Sequence, residues 1–130
     1  MIYVDTSAFY ALASSSDKNH ARATAVLEKI LASGEGMTTT SYVVSETWGL
    51  LQHRLGLSAA RSFSRDVLPA IRVVWVNEAL HRAGVAVWKR LSLRSANLVD
   101  CVGIALLQGL GDTRAFAYDS DFTRAGFRLP

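Results

Sequence analysis

The sequence predicts an α/β protein, a three-layer α/β/α domain with a central parallel sheet. Short β-branched or aromatic runs, at Ile2-Tyr3-Val4, Met37-Thr38-Thr39-Thr40, residues 71–76 and Ala115-Phe116-Ala117-Tyr118, alternate with single or paired helical patterns. No tight hairpin signal joins them, so the strands run parallel beneath helices on both faces. The chain of 130 residues is 50% hydrophobic and 19% charged, enough for one buried core. Residues 1–130 therefore read as a single domain, without repeats, linkers or low-complexity tracts.

The first strand stops on Asp5. Thr6 and Ser7 follow as helix caps before Ala8-Phe9-Tyr10-Ala11-Leu12. After the polar break at residues 14–17, Ala23, Val26, Leu27, Ile30 and Leu31 form one apolar helical face, which Gly34 ends. Ser41 is the expected cap of the next helix, whose stripe is Val44, Trp48, Leu51 and Leu55 up to Gly56. Ser58 is expected to cap a short helix with Ala59, Ala60, Phe63 and Val67 inward, broken by Pro69.

Residues 71–76 are the clearest strand. Asn77 then caps a helix that turns Leu80, Ala83, Gly84, Val87 and Leu91 inward. Asn97 leads into the run Leu98-Val99-Asp100-Cys101-Val102-Gly103-Ile104-Ala105-Leu106-Leu107, apolar all round as a core helix should be, and Gly109 and Gly111 stop it. The strand at 115–118 halts on Asp119. Asp121-Phe122-Thr123-Arg124 forms a turn or short helix, and Phe127-Arg128-Leu129 is expected to add an edge strand.

Charge is unevenly spread. The net charge is +3 with a pI near 9.4, and most of the basic residues are arginine, the better fork for phosphate. Arg54, Arg61, Arg65, Arg72, Arg82, Lys89, Arg90 and Arg94 face only Asp66 and Glu78 in the middle segment, so both flanks are net acidic. Cys101 is the only cysteine, which excludes an internal disulfide and fits a reducing compartment. The N-terminus lacks the pattern of a signal peptide and no apolar run approaches a membrane span, so a soluble cytoplasmic protein is expected.

Four acids stand out. Asp100 is the sole charge in its apolar helix, and the helix dipole, worth roughly 0.3–1 kcal/mol, cannot offset a burial cost of several kcal/mol. Glu46 lies early in its helix, and Asp5 and Asp119 end strands. In a parallel sheet the carboxyl ends share one edge, so the topology brings Asp5, Glu46, Asp100 and Asp119 together. Clustered carboxylates need a cation, and hard ions such as Mg²⁺ prefer oxygen ligands. His20, His53 and His81 are scattered on helices, expected at the surface, and give no zinc set. A G-x-S-x-G elbow and a glycine-rich phosphate loop are both absent.

In this order, Ile2-Tyr3-Val4-Asp5-Thr6-Ser7, Ser45-Glu46, Asn97-Leu98-Val99-Asp100 and Tyr118-Asp119-Ser120-Asp121-Phe122 resemble the PIN-domain family, specifically the VapC-type toxin ribonucleases of bacterial toxin–antitoxin pairs. The resemblance spans the chain and implies a PIN-like, Rossmann-like topology. It implies that Asp5, Glu46, Asp100 and Asp119 form the catalytic set, with Asp5, Asp100 and Asp119 holding Mg²⁺ or Mn²⁺. Thr6, Ser7 and Asp121 support them, Asp121 by helix capping or contact with the ligands. It further implies an RNA substrate, a cognate antitoxin and a homodimer, away from membranes, with Arg54, Arg82 and Arg94 as candidate RNA contacts. Phe9, Tyr10, Trp48, Phe63 and Trp88 are the apolar residues from which partner surfaces would be drawn. One departure is Ala117, where members often carry threonine, and Asp121 competes with Asp119 as the last ligand.

Four alternatives remain at this point. A haloacid-dehalogenase-like phosphatase needs a second acid two residues after the first, where this chain has Ser7. A receiver domain needs a late lysine, and the last lysine here is Lys89. A catalytically silent PIN module used for binding, or a PIN nuclease of RNA processing, shares the fold.

Overall fold

Ile2, Tyr3 and Val4 are almost wholly buried because β1 (Ile2–Val4) is an inner strand of a four-stranded sheet. A computed structural model of the chain describes residues 1–91, 96–111 and 114–130, so Arg94 lies outside the described residues. The order is β3-β2-β1-β4, with β2 at Met37–Thr40, β3 at Ile71–Val74 and β4 at Ala115–Phe116. Every pairing is parallel: Tyr3 faces Thr38 on one side and Ala115 on the other. All four carboxyl ends thus open on one edge, as expected for a parallel sheet.

Seven α-helices accompany the sheet among the described residues: α1 (Thr6–Ala13), α2 (His20–Ser33), α3 (Ser41–Leu55), α4 (Leu57–Ser62), α5 (Glu78–Leu91), α6 (Leu98–Leu110) and α7 (Ser120–Arg124). None is long and apolar enough to cross a membrane. The α6 helix is the core helix: Cys101, Val102, Ile104 and Leu107 are fully buried. It packs closely on α5 because Gly84 has no side chain, and a Cβ there would strike Val102. Gly103 is needed for the same reason, since the Tyr3 hydroxyl fills the space its Cβ would take.

Several details differ from the sequence reading. The polar run of β2 is fully buried, which its hydrogen bonds permit. Thr38 Oγ1 donates to Arg72 O at 2.9 Å and Thr39 Oγ1 to Val4 O at 2.7 Å. The cap of α3 is Thr40, whose Oγ1 accepts from Val43 N at 3.2 Å, not Ser41, whose Oγ accepts from Val76 N at 2.9 Å. The buried face of α3 is Val43, Thr47 and Leu51, one residue round from the expected stripe, and Trp48 and Leu55 are each 39% exposed. Thr47 is the reason: its hydroxyl is paired inside the protein, so it buries like an apolar residue.

The α4 helix begins after Gly56, not at Ser58, and continues through a wide turn at Phe63–Val67 before Pro69. Leu31 is exposed, and so is Ala83. The third strand stops at Val74, leaving Trp75 77% exposed. Asn77 Oδ1 accepts from Leu80 N at 2.9 Å as a cap should. The α6 helix runs through Gly109 and ends at Gly111 in the left-handed conformation, φ 70°. β4 stops two residues short of Tyr118, and the C-terminal run makes a single bridge, Arg114 to Arg128, instead of a strand. Phe9 and Phe63 are core, packed edge to face at 5.2 Å, whereas Trp48 and Trp88 are exposed. Two histidines are engaged, not free surface groups: His20 Nδ1 lies 2.7 Å from Ala11 O and His81 Nδ1 2.7 Å from the Tyr42 hydroxyl.

Candidate active site

Asp5, Glu46, Asp100 and Asp119 all line one cleft of about 370 Å³ at the carboxyl edge of the sheet. Asp5 arrives there because β1 ends at Val4 and α1 must start. It is the N-cap of α1, its Oδ2 accepting from Ser7 N at 3.2 Å and from Ser7 Oγ at 2.7 Å. The Ser7 hydroxyl also accepts from Tyr118 N at 2.8 Å, tying the ends of β1 and β4 together. Thr6 lines the cleft as well, but its hydroxyl accepts from Thr47 at 3.2 Å instead of holding Asp5.

Asp100 sits at the third position of α6 in a capping box. Its amide donates to Asn97 Oδ1 at 2.9 Å, and its Oδ2 accepts from Asn97 N at 3.4 Å. Asn97 also donates from Nδ2 to Glu46 Oε2 at 3.4 Å. Asn97 therefore holds two acids on two helices, a role its cap position alone does not reveal. Asp119 caps α7 by accepting from Asp121 N at 2.9 Å, so the cap is Asp119 and not Asp121. The backbone of Asp119 is extended, with φ −75° and ψ 129°, which suits an N-cap. Asp121 is wholly buried, 3.9 Å from the Arg124 guanidinium.

Burial is the main force on these carboxyls. It pushes Asp100 up to about 8, helped by the charges of Asp5 and Asp119, while the Asn97 amide pulls the other way. Burial pushes Asp5 up to about 6 against the two hydrogen bonds from Ser7. Asp119 is also raised, first by burial. Beneath them the Tyr3 hydroxyl is held well above its ordinary range by burial and by the charges of Asp5 and Asp100.

The donor set fits a hard divalent cation. One carboxylate oxygen from each of Asp100, Asp119 and Asp121 can be chosen within 4.8 Å of the others. Asp5 Oδ1 is buried without a hydrogen-bond partner. Oxygen-only donors, crowded and desolvated, are what Mg²⁺ or Mn²⁺ takes.

The candidate RNA contacts divide. Arg54 lines the cleft with its guanidinium 5.6 Å from the Tyr10 ring centre, whereas Arg82 pairs with Glu78 at 2.7 Å on the exposed face of α5. Tyr10 and Tyr118 also line the cleft; neither carries a sequence signal that separates it from a core aromatic.

Comparison with known proteins agrees with this fold. A sequence model of the PIN domain matches residues 2–128. The 23S rRNA-specific endonuclease VapC20, from two strains of Mycobacterium tuberculosis, is 34% identical over 129 residues, 98% of this chain and 95% of the relative. The crystal structure of Mycobacterium tuberculosis VapC20, described as a sarcin–ricin loop cleaving toxin, superposes with a TM-score of 0.87. It is 31% identical, over 100% of this chain and 98% of that one.

Proposed function

The chain belongs to the PIN-domain family, and we propose that it is a metal-dependent endoribonuclease, the toxin of a toxin–antitoxin pair. The observation that carries this is the convergence of Asp5, Glu46, Asp100 and Asp119 on one cleft. Such a cluster is costly without a cation and serves no structural purpose that neutral residues would not serve better. The whole of residues 1–130 is read as one such domain.

Asp5, Asp100 and Asp119 would hold Mg²⁺ or Mn²⁺, with Asp121 supporting Asp119 from the core. Such an ion, when bound, would supply Lewis-acid charge at the phosphate and lower the pKa of water. Ser7 fixes the Asp5 carboxylate through Oδ2, leaving Oδ1 buried and without a hydrogen-bond partner. Glu46 accepts the proton of the attacking water at Oε1, since Oε2 faces Asn97. The water oxygen forms the new bond to phosphorus as the bridging P–O bond breaks, and the leaving oxygen is reprotonated from solvent.

The named relative makes a ribosomal RNA loop the first substrate to test. An unpaired loop suits an open cleft, because its backbone can reach the carboxylates without a duplex in the way. A cytoplasmic location and a homodimer silenced by a small antitoxin complete the reading. The experiment is cleavage of total ribosomal RNA with Mg²⁺ or Mn²⁺, mapped by primer extension. A discrete cut abolished by EDTA is expected; cleavage that persists in EDTA overturns the metal mechanism, and no cleavage of any RNA overturns the ribonuclease reading.

A further inference from the structure

Arg54 is the one basic residue among the described residues that line the acid cleft, where it shares the wall with Asp5, Asp17, Glu46, Asp100 and Asp119. A guanidinium among five carboxylates would ordinarily pair with one. Arg54 makes no ion pair and no hydrogen bond among the described residues; its contact is the face of Tyr10. A second pair has the same form. The Arg22 guanidinium lies 5.6 Å from the ring centre of Tyr118, another wall residue, with Nη1 reaching only a long 3.5 Å contact to Asn19 Oδ1.

Both rings stand on the wall of the cleft. Tyr10 is on α1, which follows β1, and Tyr118 follows β4, the strand paired with β1. Asp5, at the end of β1, therefore shares its cleft with two rings that each hold an arginine. An aromatic face attracts a guanidinium without neutralising it, and so keeps its N–H fork available for an anion. In the ribonuclease reading the carboxylates serve a cation, and the arginines, held on the rings, stay off them.

We propose that Arg54 on Tyr10 and Arg22 on Tyr118 form a two-point clamp for backbone phosphates beside the scissile one, so that the cleft takes an unpaired RNA strand. The clamp rests on the ribonuclease reading and extends it to how the strand is held. Tyr10 and Tyr118 are positioning residues, and the arginines touch the RNA.

The test measures binding of a fluorescein-labelled single-stranded RNA in EDTA by anisotropy at several salt concentrations. Each phosphate contact on a single strand contributes about 0.7 to the slope of log K against log salt. Arg54→Gln and Arg22→Gln should each reduce the slope by about 0.7 and the double variant by about 1.4, whereas Arg61→Gln, exposed on α4 away from the cleft, should not. Tyr10→Leu should reproduce Arg54→Gln, and Tyr10→Phe, which keeps the ring, should restore the slope. In cleavage with Mn²⁺ the loss should fall on KM more than on kcat.

Unchanged slopes in Arg54→Gln and Arg22→Gln, with wild type binding and cutting RNA, overturn the clamp alone. So does a lower melting point of Arg54→Gln in EDTA at an unchanged slope, which would make Arg54 a counter-charge for the acids. A wild type that neither binds nor cuts RNA overturns the clamp together with the reading beneath it.

Discussion

Asn97 donates to Glu46 at 3.4 Å across 51 residues of sequence, while its other side-chain atom caps the helix that carries Asp100. One amide thus serves stability and site geometry through different atoms, and a substitution can separate them. Asn97→Ala loses both and should cost about 0.5–2 kcal/mol of stability, as cap deletions do. Asn97→Ser keeps a cap oxygen but does not reach Glu46. It should melt near wild type and lose cleavage through kcat. An Asn97→Ser protein that cuts RNA at the wild-type rate would show that Asn97 is only a cap.

The contact of Tyr3 with Gly103 makes a second pair that can be tested. Gly103→Ala places a methyl against the Tyr3 hydroxyl under the acid cluster, in a part of the core with no slack. Overpacking of this kind costs about 1–3 kcal/mol, which at this size is a fall of several degrees in melting temperature. Tyr3→Phe in the same chain removes the nearest atom and should recover part of the loss. Denaturant melts of the single and double variants would measure the coupling; additive losses would mean that the two residues do not meet as described.

The acids were legible because a parallel sheet turns sequence position into spatial position. A strand that halts on a carboxylate, as at Asp5 and Asp119, must deliver it to the shared edge. Asp100 was legible for the opposite reason, as a charge with no business in an apolar helix. The faces of the helices were less so. Thr47 buries its hydroxyl against Thr6, and because threonine counts as polar in a periodicity, the inner face of α3 was read one residue round, with Trp48 turned inward. The choice of cap was also beyond the pattern. Asp119 and Asp121 are both caps by composition, and only the backbone angles at Asp119 decide between them.

That pair yields a third prediction. Asp119 lines the cleft and is partly exposed, whereas Asp121 is wholly buried beside Arg124. Ligand binding raises stability only through affinity for the folded state, so the rise in melting temperature with Mn²⁺ reports the ligands. Asp119→Asn should remove most of that rise and the cleavage with it. Asp121→Asn should lower the melting temperature in EDTA and keep most of the rise. The reverse pattern in a thermal titration would make Asp121 the ligand and Asp119 the cap alone.

The last prediction concerns Asp100 and pH. In the metal-free fold its carboxyl titrates near 8, against an ordinary value of 3.8, because it is buried and faces Asp5, Asp119 and Glu46, with only the Asn97 amide in opposition. The folded state therefore holds a proton that the unfolded chain has already released. A carboxyl raised in this way contributes stability that is fully present below about pH 4 and is lost as the pH rises towards 8. Asp100→Asn cannot titrate, and its new side chain still offers an oxygen to the Asn97 amide, so the cap survives. In EDTA the variant should melt above wild type, by little near pH 4 and by a margin that widens up to pH 8 and then levels. Asp5, raised to about 6, remains in both proteins and leaves them a shared, weaker decline between roughly pH 4 and 6. Mn²⁺ should close the gap from the other side, stabilising wild type most at high pH, where no proton competes for Asp100, and the variant hardly at all. Melting curves from pH 4 to 9, with EDTA and with Mn²⁺, carry the decision. A margin that is the same at every pH, or a variant that melts lower throughout, would mean that Asp100 is held by a structural partner and not poised for a metal.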